Sequence, residues 1–335
     1  MSAVLPHFQR LWRGLSDSAR RDFAFAALTL VLFFAVTLKF HGFASPRNIA
    51  GLLDDTSIFI LLALGQMLVI LVRGIDLSIA ANLALCGMLA ALTNRAFPDA
   101  GVAPVVALSI ACGTLLGGFN GILVWKLRLP PIVVTLGTMS MYRGAIYLLS
   151  HGAWVNENEM SRGFVAFTRA QFLGLSTLSW LALGGAALFI LALRGSRLAR
   201  DLYAAGGNPE AASYSGIDPG RMQFIAYTIC GAIAGLAGYL WVARFAVAYT
   251  DIALGVELQV IAACLIGGVA IAGGTGSAIG VVLGCLFIGI IRSSLPLIEV
   301  SSFWQMFING AVILVAVLAS ARRRVDQRRI LEAPT

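Results

Sequence analysis

The chain has 335 residues, 59% of them hydrophobic and 12% charged, with a mean hydropathy of +0.87, far from the roughly 25% charged and 45–50% apolar make-up of a soluble domain. That excludes a water-soluble enzyme or binding module and fits an integral membrane protein. The net charge of +8 does not point to nucleic acid, because the basic residues sit at the chain ends and in short connections between apolar runs, which is the pattern of membrane topology.

Residues 1–22 form a polar, basic tail carrying Arg10, Arg13, Arg20 and Arg21. The run Phe23 to Phe40 is too long for a signal-peptide core and no small-x-small cleavage site closes it, so it reads as an uncleaved first span. Further spans are expected at Thr56–Val72, Leu77–Leu92, Val102–Trp125, Ile132–Leu149, Thr177–Leu193, Phe224–Val242, Leu258–Ala270, Ser277–Ile291 and Phe303–Ala319. The class is all-α with about ten transmembrane helices, because a helix needs about 20 apolar residues to cross the hydrocarbon and a barrel would show short alternating segments. The transmembrane domain thus covers 23–320, and residues 321–335 form a basic tail.

Between the sixth and seventh spans lies Arg194 to Gln223, the longest stretch that water would welcome. It carries its own helix signals. Asn208 is a good N-cap, Pro209 suits the first helical position, Glu210 favours the positive end of the dipole, and Gly216 is a natural stop. A helix of about two turns is marginal alone in water and needs a partner. Ala211, Ala212 and Ser213 offer a low-profile surface, Tyr214 an anchor, and Arg197, Arg200 and Glu210 surround it with charge. An ordinary connection folded back on its own domain is the alternative.

Orientation follows from Lys and Arg. With a cytoplasmic N-terminus, 16 of the 24 basic residues fall inside, 7 fall outside and Arg143 lies within a span. Both termini and the polar stretch are therefore expected in the cytoplasm, with an even number of spans.

An internal repeat relates the two halves. In GIDLSIAANLALCG (Gly74–Gly87) and GVELQVIAACLIGG (Gly255–Gly268), Gly74 matches Gly255, Asp76 matches Glu257, and Gly87 matches Gly268. Gly113, Gly117 and Gly121 recur every fourth residue, as do Gly276, Gly280 and Gly284, and each set precedes a Leu-Pro pair. The matched spans run in opposite directions, which makes spans 2–5 and 7–10 an inverted repeat. Such repeats are a transporter signature, because exchanging the conformations of two similar halves opens a path to alternate sides.

Polar residues in or beside spans are few. Gln66, Asn120, Thr135, Thr138, Arg143 and Gln305 are candidates for a translocation path, against helix–helix hydrogen bonding or, for Arg143, snorkelling. Asp76 and Glu257 open the third and eighth spans, where a carboxylate suits the helix N-terminus, with gating as the sharper role; Arg73 is placed to pair with Asp76. The six repeated glycines read as close helix packing. Cys86, Cys112, Cys230, Cys264 and Cys285 lie in apolar runs without a CxxC pair and the three histidines are scattered, so no metal site and no disulfide framework are expected. No Walker A, HExxH or Gly-x-Ser-x-Gly sequence is present and no acidic series lies mid-span. Neither catalysis nor self-energised transport is supported, and the energy must come from outside the chain.

Four stretches, RGIDLSIAANLAL (Arg73–Leu85), GGFNGILVWKLRLPPIVVTLGTMSMYRG (Gly117–Gly144), AAGGNPEAASYSGI (Ala204–Ile217) and LIGGVAIAGGTGSAIGVVLG (Leu265–Gly284), resemble the permease subunits of bacterial ABC importers for monosaccharides, the ribose, xylose, arabinose, rhamnose and autoinducer-2 group. The resemblance covers nearly the whole chain from the second span to the last. It implies an inner-membrane subunit that pairs with itself or a sister permease, receives sugar from a periplasmic binding protein, and binds a cytoplasmic ATPase through a coupling helix at Asn208–Ile217. ATP and magnesium then belong to the ATPase, and this chain needs no cofactor. An ion-coupled secondary carrier of a small polar solute is the rival reading. Arg73 departs from the family, which often shows a second glycine before GIDLS.

Overall fold

The computed structural model describes residues 17–298 together with 301, 303, 304, 307, 308, 310, 311 and 314. The predicted last span Phe303–Ala319 falls largely outside these residues. So do Gln305, most of the 1–22 tail and all of the 321–335 tail.

Among the described residues, eight helices are long and apolar enough to cross a membrane. They include α1 (Asp17–Lys39), α2 (Pro46–Leu71), α3 (Ile79–Ala96), α4 (Val102–Trp125), α5 (Pro131–Ser150), α7 (Thr177–Gly195), α10 (Pro219–Phe245) and α12 (Ala278–Ser294). Shorter helices are α6 (Arg162–Arg169), α8 (Arg197–Gly207), α9 (Pro209–Tyr214) and α11 (Val256–Ile266). Two-residue strands β1 (Val155–Asn156) and β4 (Val247–Ala248) pair antiparallel, as do β2 (Gln171–Phe172) and β3 (Leu175–Ser176).

Two expectations change. The eighth predicted span, Leu258–Ala270, yields only the 11-residue α11. Gly267 and Gly268 stop it, and the glycine-rich turn beyond returns the chain at once into α12. The second span is longer than expected: Ser45 caps α2 through the Asn48 N–H, Pro46 takes the first helical position, and the helix runs for 26 residues.

The core is built on α2, α3 and α10, which are mostly buried, while α1, α4, α5 and α7 expose large apolar side chains such as Val31, Leu115, Leu148 and Leu188. Such surface would drive aggregation in water and suits lipid. Glycine sets the helix spacing. A methyl on Gly117 would meet the Tyr227 carbonyl oxygen at 2.3 Å and Gly231 Cα at 2.7 Å, and one on Gly113 would meet the Gly231 oxygen at 2.3 Å. In the other half, Gly280 and Gly284 face the carbonyls of Gly267 and Ala263 at 2.1 and 2.2 Å by the same measure. The glycine rows therefore pack helices, as expected.

The helix ends define two faces. On one, the ends of α2 and α8 meet the 267–277 turn and the start of α10; on the other, the start of α2, the end of α10 and the end of α12 surround a cavity. Consequently α3 leaves the first face while α11 arrives at it, and α4 and α12 are opposed in the same way.

Candidate functional site

The polar stretch forms two helices where one was expected. The missed helix, α8, starts at Ser196, whose hydroxyl accepts from the Ala199 N–H at 3.0 Å. It buries Ala199, Leu202 and Ala205 against the membrane domain, an amphipathic spacing that the charged neighbours Arg197, Arg200 and Asp201 obscured. The expected helix is α9. Asn208 Oδ1 accepts from the Ala211 N–H at 3.1 Å and Pro209 opens the helix. At the other end the Gly216 and Ile217 N–H groups return to the carbonyls of Ser213 and Ala212, both at 3.0 Å. Gly216 sits at φ +81°, the left-handed conformation this stop needs.

The surface of α9 is asymmetric. Glu210, Ala211, Ser213 and Tyr214 face outward, and Tyr214 is 94% exposed. Ala212 is buried against its own chain, so it seats the helix and contributes no outward surface. Arg200 is exposed and donates to the Gly195 carbonyl at 3.2 Å.

Behind these helices the connection 72–78 between α2 and α3 has irregular backbone within the bundle, and its polar groups are met by side chains, as they must be away from water. Thr135 Oγ1 and the Tyr227 hydroxyl both donate to the Ile75 carbonyl at 3.2 Å, and Gln223 donates to the Val72 carbonyl at 3.2 Å. The Gln66 amide bridges the Asp76 backbone, accepting from its N–H at 3.1 Å and donating to its carbonyl at 3.3 Å. Asp76 Oδ1 accepts from the Ser78 N–H at 2.8 Å and the Ser78 hydroxyl at 2.6 Å. Asn120 Nδ2 donates to the same Ser78 oxygen at 2.8 Å. Gln66, Asp76, Asn120 and Thr135 are thus one buried network, with Thr138 beside it bonded to the Thr135 carbonyl.

The expected Arg73–Asp76 pair does not form. Arg73 turns to α8, where Nε donates to the Gly206 carbonyl at 2.7 Å and Nη2 to the Gly207 carbonyl at 2.8 Å. Terminal helix carbonyls lack partners within the helix and attract a cation. Nor does Asp76 itself cap α3; Ser78 holds the N-cap position. The same junction receives the 273–274 turn, since the Gly274 N–H donates to the Leu71 carbonyl at 2.9 Å. Arg143 and Glu257 lie at the cavity face. Arg143 Nη1 donates to the carbonyls of Thr250 at 3.1 Å and Ile252 at 2.8 Å, and Glu257 is half-buried in the first turn of α11.

Residues 48–317 match the family profile described as the permease component of the branched-chain amino acid transport system. The chain belongs to this permease family. The permease is 36% identical over 302 residues to the ribose import permease protein of Escherichia coli K12, covering 88% of this chain and 92% of that one. It is 33% identical to the autoinducer 2 import system permease protein of Photorhabdus laumondii, covering 88% and 87%. With the L-arabinose ABC transporter permease protein of Azospirillum brasilense it shares 33% identity, covering 90% and 88%. No solved structure matches the permease.

Burial pushes the Asp76 carboxyl up to about 6, with the two Ser78 hydrogen bonds opposing the rise. A carboxyl that holds its proton more tightly when folded stabilises below its unfolded value of 3.8 and loses that contribution as pH rises through about 6. Asp76→Asn keeps the acceptor for Ser78 and removes the buried charge. It is expected to stabilise the detergent-solubilised permease at pH 8 by up to about 3 kcal/mol, read as a higher melting temperature, with the two proteins converging below pH 4. A lower melting temperature at pH 8 would mean that the charge itself is held by favourable contacts.

Proposed function

We propose that the permease is the membrane subunit of an ATP-binding-cassette importer that moves a monosaccharide or related small polyol across a bacterial inner membrane. The observation that carries this reading is the near full-length similarity to import permeases for ribose, arabinose and autoinducer 2. The outward face of α9 supports the finer assignment. A short helix with an exposed tyrosine and a charged rim, braced on α8, has the form of a plug for a groove on another protein.

In this reading Arg200, Asn208, Pro209, Glu210, Ala211, Ser213, Tyr214 and Gly216 form or shape the contact with a cytoplasmic ATPase, and Ala212 anchors the helix from behind. ATP and magnesium are bound by that ATPase. A second permease copy or sister chain completes the path, a periplasmic binding protein delivers the sugar, and the 194–223 face and both termini are cytoplasmic. Closure of the ATPase pulls α9, and the permease halves rock to expose the path to alternate sides.

Proteoliposomes with the permease, its ATPase and its binding protein should accumulate sugar only when ATP is supplied. Glu210→Arg and Ala211→Trp should abolish co-purification with the ATPase while the melting temperature stays within a few degrees. Uptake driven by a proton or sodium gradient without ATP would favour the secondary-carrier reading, and retained ATPase binding in both variants would overturn the docking role of α9.

A further inference from the structure

We propose that the cavity between α2, α10 and α12 is a binding site for a neutral polyhydroxylated solute, a monosaccharide in the transport reading above, on which this inference rests. Its volume is about 850 Å³, within the roughly 300–1,000 Å³ of small-molecule sites. It lies at the face opposite α9, where a solute delivered from the far side of the membrane would enter.

The lining matches that chemistry in three respects. Charge is nearly balanced, Arg47, Arg244 and Arg292 against Asp54 and Asp55: Asp55 is ion-paired with Arg244, Asp54 accepts from the Ser176 and Ser179 hydroxyls, and Arg292 donates to Gln259 at 2.9 Å. Such a wall offers donors and acceptors side by side without the strong field that would select an ion. Trp241 and Phe245, with ring centroids 5.2 Å apart, add an aromatic surface for the C–H face of a pyranose or furanose ring. The Arg244 guanidinium lies 5.4 Å from the Phe245 centroid, and its Nη1 is buried with no acceptor among the described residues. Through Nη2 the same guanidinium pairs with Asp55, so a donor and an acceptor stand together beside the ring for a solute hydroxyl.

Ser293 lines the cavity. In Ser293→Cys, a membrane-impermeant methanethiosulfonate should label the new thiol from the cavity side, with the parent chain, whose five cysteines are buried or half-buried, as the blank. Millimolar D-ribose or L-arabinose, whichever the intact importer accumulates, should slow labelling at least threefold, and equal osmolarity of sodium chloride should not. Arg244→Ala and, as a variant that leaves the ion pair in place, Phe245→Ala should each remove that protection. Labelling unaffected by a sugar that the same membranes import with ATP overturns the site and leaves the transport reading standing. Labelling blocked in membranes with or without sugar but rapid in detergent means that lipid or a second permease fills the cavity, and also overturns it. Failure of the parent importer to accumulate any sugar sinks the transport reading instead.

Discussion

Gly117→Leu is expected to leave no folded permease in detergent extracts. The site has no space to give. A single added methyl would fall 2.3 Å from the Tyr227 carbonyl oxygen and 2.7 Å from the Gly231 α-carbon, both backbone atoms of a buried helix, so no side-chain rotation relieves the clash. Overpacking of a core costs about 1–3 kcal/mol when neighbours can shift. Here α4 and α10 would have to separate along their whole glycine seam, because Gly113 and Gly121 press on the same helix at 2.3 and 2.9 Å by the same measure. The loss should reach that upper figure or more. Gly137→Leu is the control, since nothing lies within 4 Å of a methyl placed there. Fluorescence-detected size exclusion would give a monodisperse peak for the control and aggregate for Gly117→Leu; equal peaks would mean that the seam is loose.

The glycine seam and α9 were legible because their signals are local. A residue every fourth position marks one helix face, and Asn208, Pro209 and Gly216 name a start and a stop within nine residues. The shortness of α11 was also written locally, in Gly267 and Gly268, but the apolar residues around them masked it. What sequence spacing could not reveal are partnerships between distant segments. Arg73 has Asp76 three positions away and yet bonds Gly206, 133 positions away. Asp54 and Ser176 are 122 apart. In both cases the partner was chosen by where helices end in three dimensions. The polar residues near or within spans divided in the same way. Gln66, Asp76, Asn120 and Thr135 were recognisable singly as unusual, while their union around the 72–78 connection depends on α2, α3, α4, α5 and α10 converging there.

Breaking the junction between α2 and α8 should uncouple the permease without detaching the ATPase proposed above as its partner. The motion proposed for α9 has to reach the halves through α8, and α8 is tied down at its last turn. A methyl on Gly206 would lie 1.6 Å from the Leu71 carbonyl oxygen and 2.7 Å from the Gly274 nitrogen. Gly206→Ala must therefore break the Leu71–Gly274 hydrogen bond or lift α8 away, and lifting α8 strips Arg73 of its acceptors. Arg73→Gly attacks the same joint from the opposite side. Arg73 sits at φ +64°, where a non-glycine residue is strained and glycine is at ease. The substitution relieves that strain while deleting two hydrogen bonds from a charged donor, each worth about 1.5–3 kcal/mol. The fold should survive, because the Gln66, Thr135 and Tyr227 contacts still hold the connection. Neither variant alters the outward side chains of α9, so ATPase co-purification should persist in both. Coupling free energies between sites run to about 1–3 kcal/mol, or 5- to 150-fold. ATP-driven import should fall within that range for Arg73→Gly and to its far end for Gly206→Ala, with Arg73→Lys intermediate because one point charge replaces a two-pronged donor. Undiminished import in Arg73→Gly would mean that the force travels from α9 directly into α10, through the Asp218 cap that joins them.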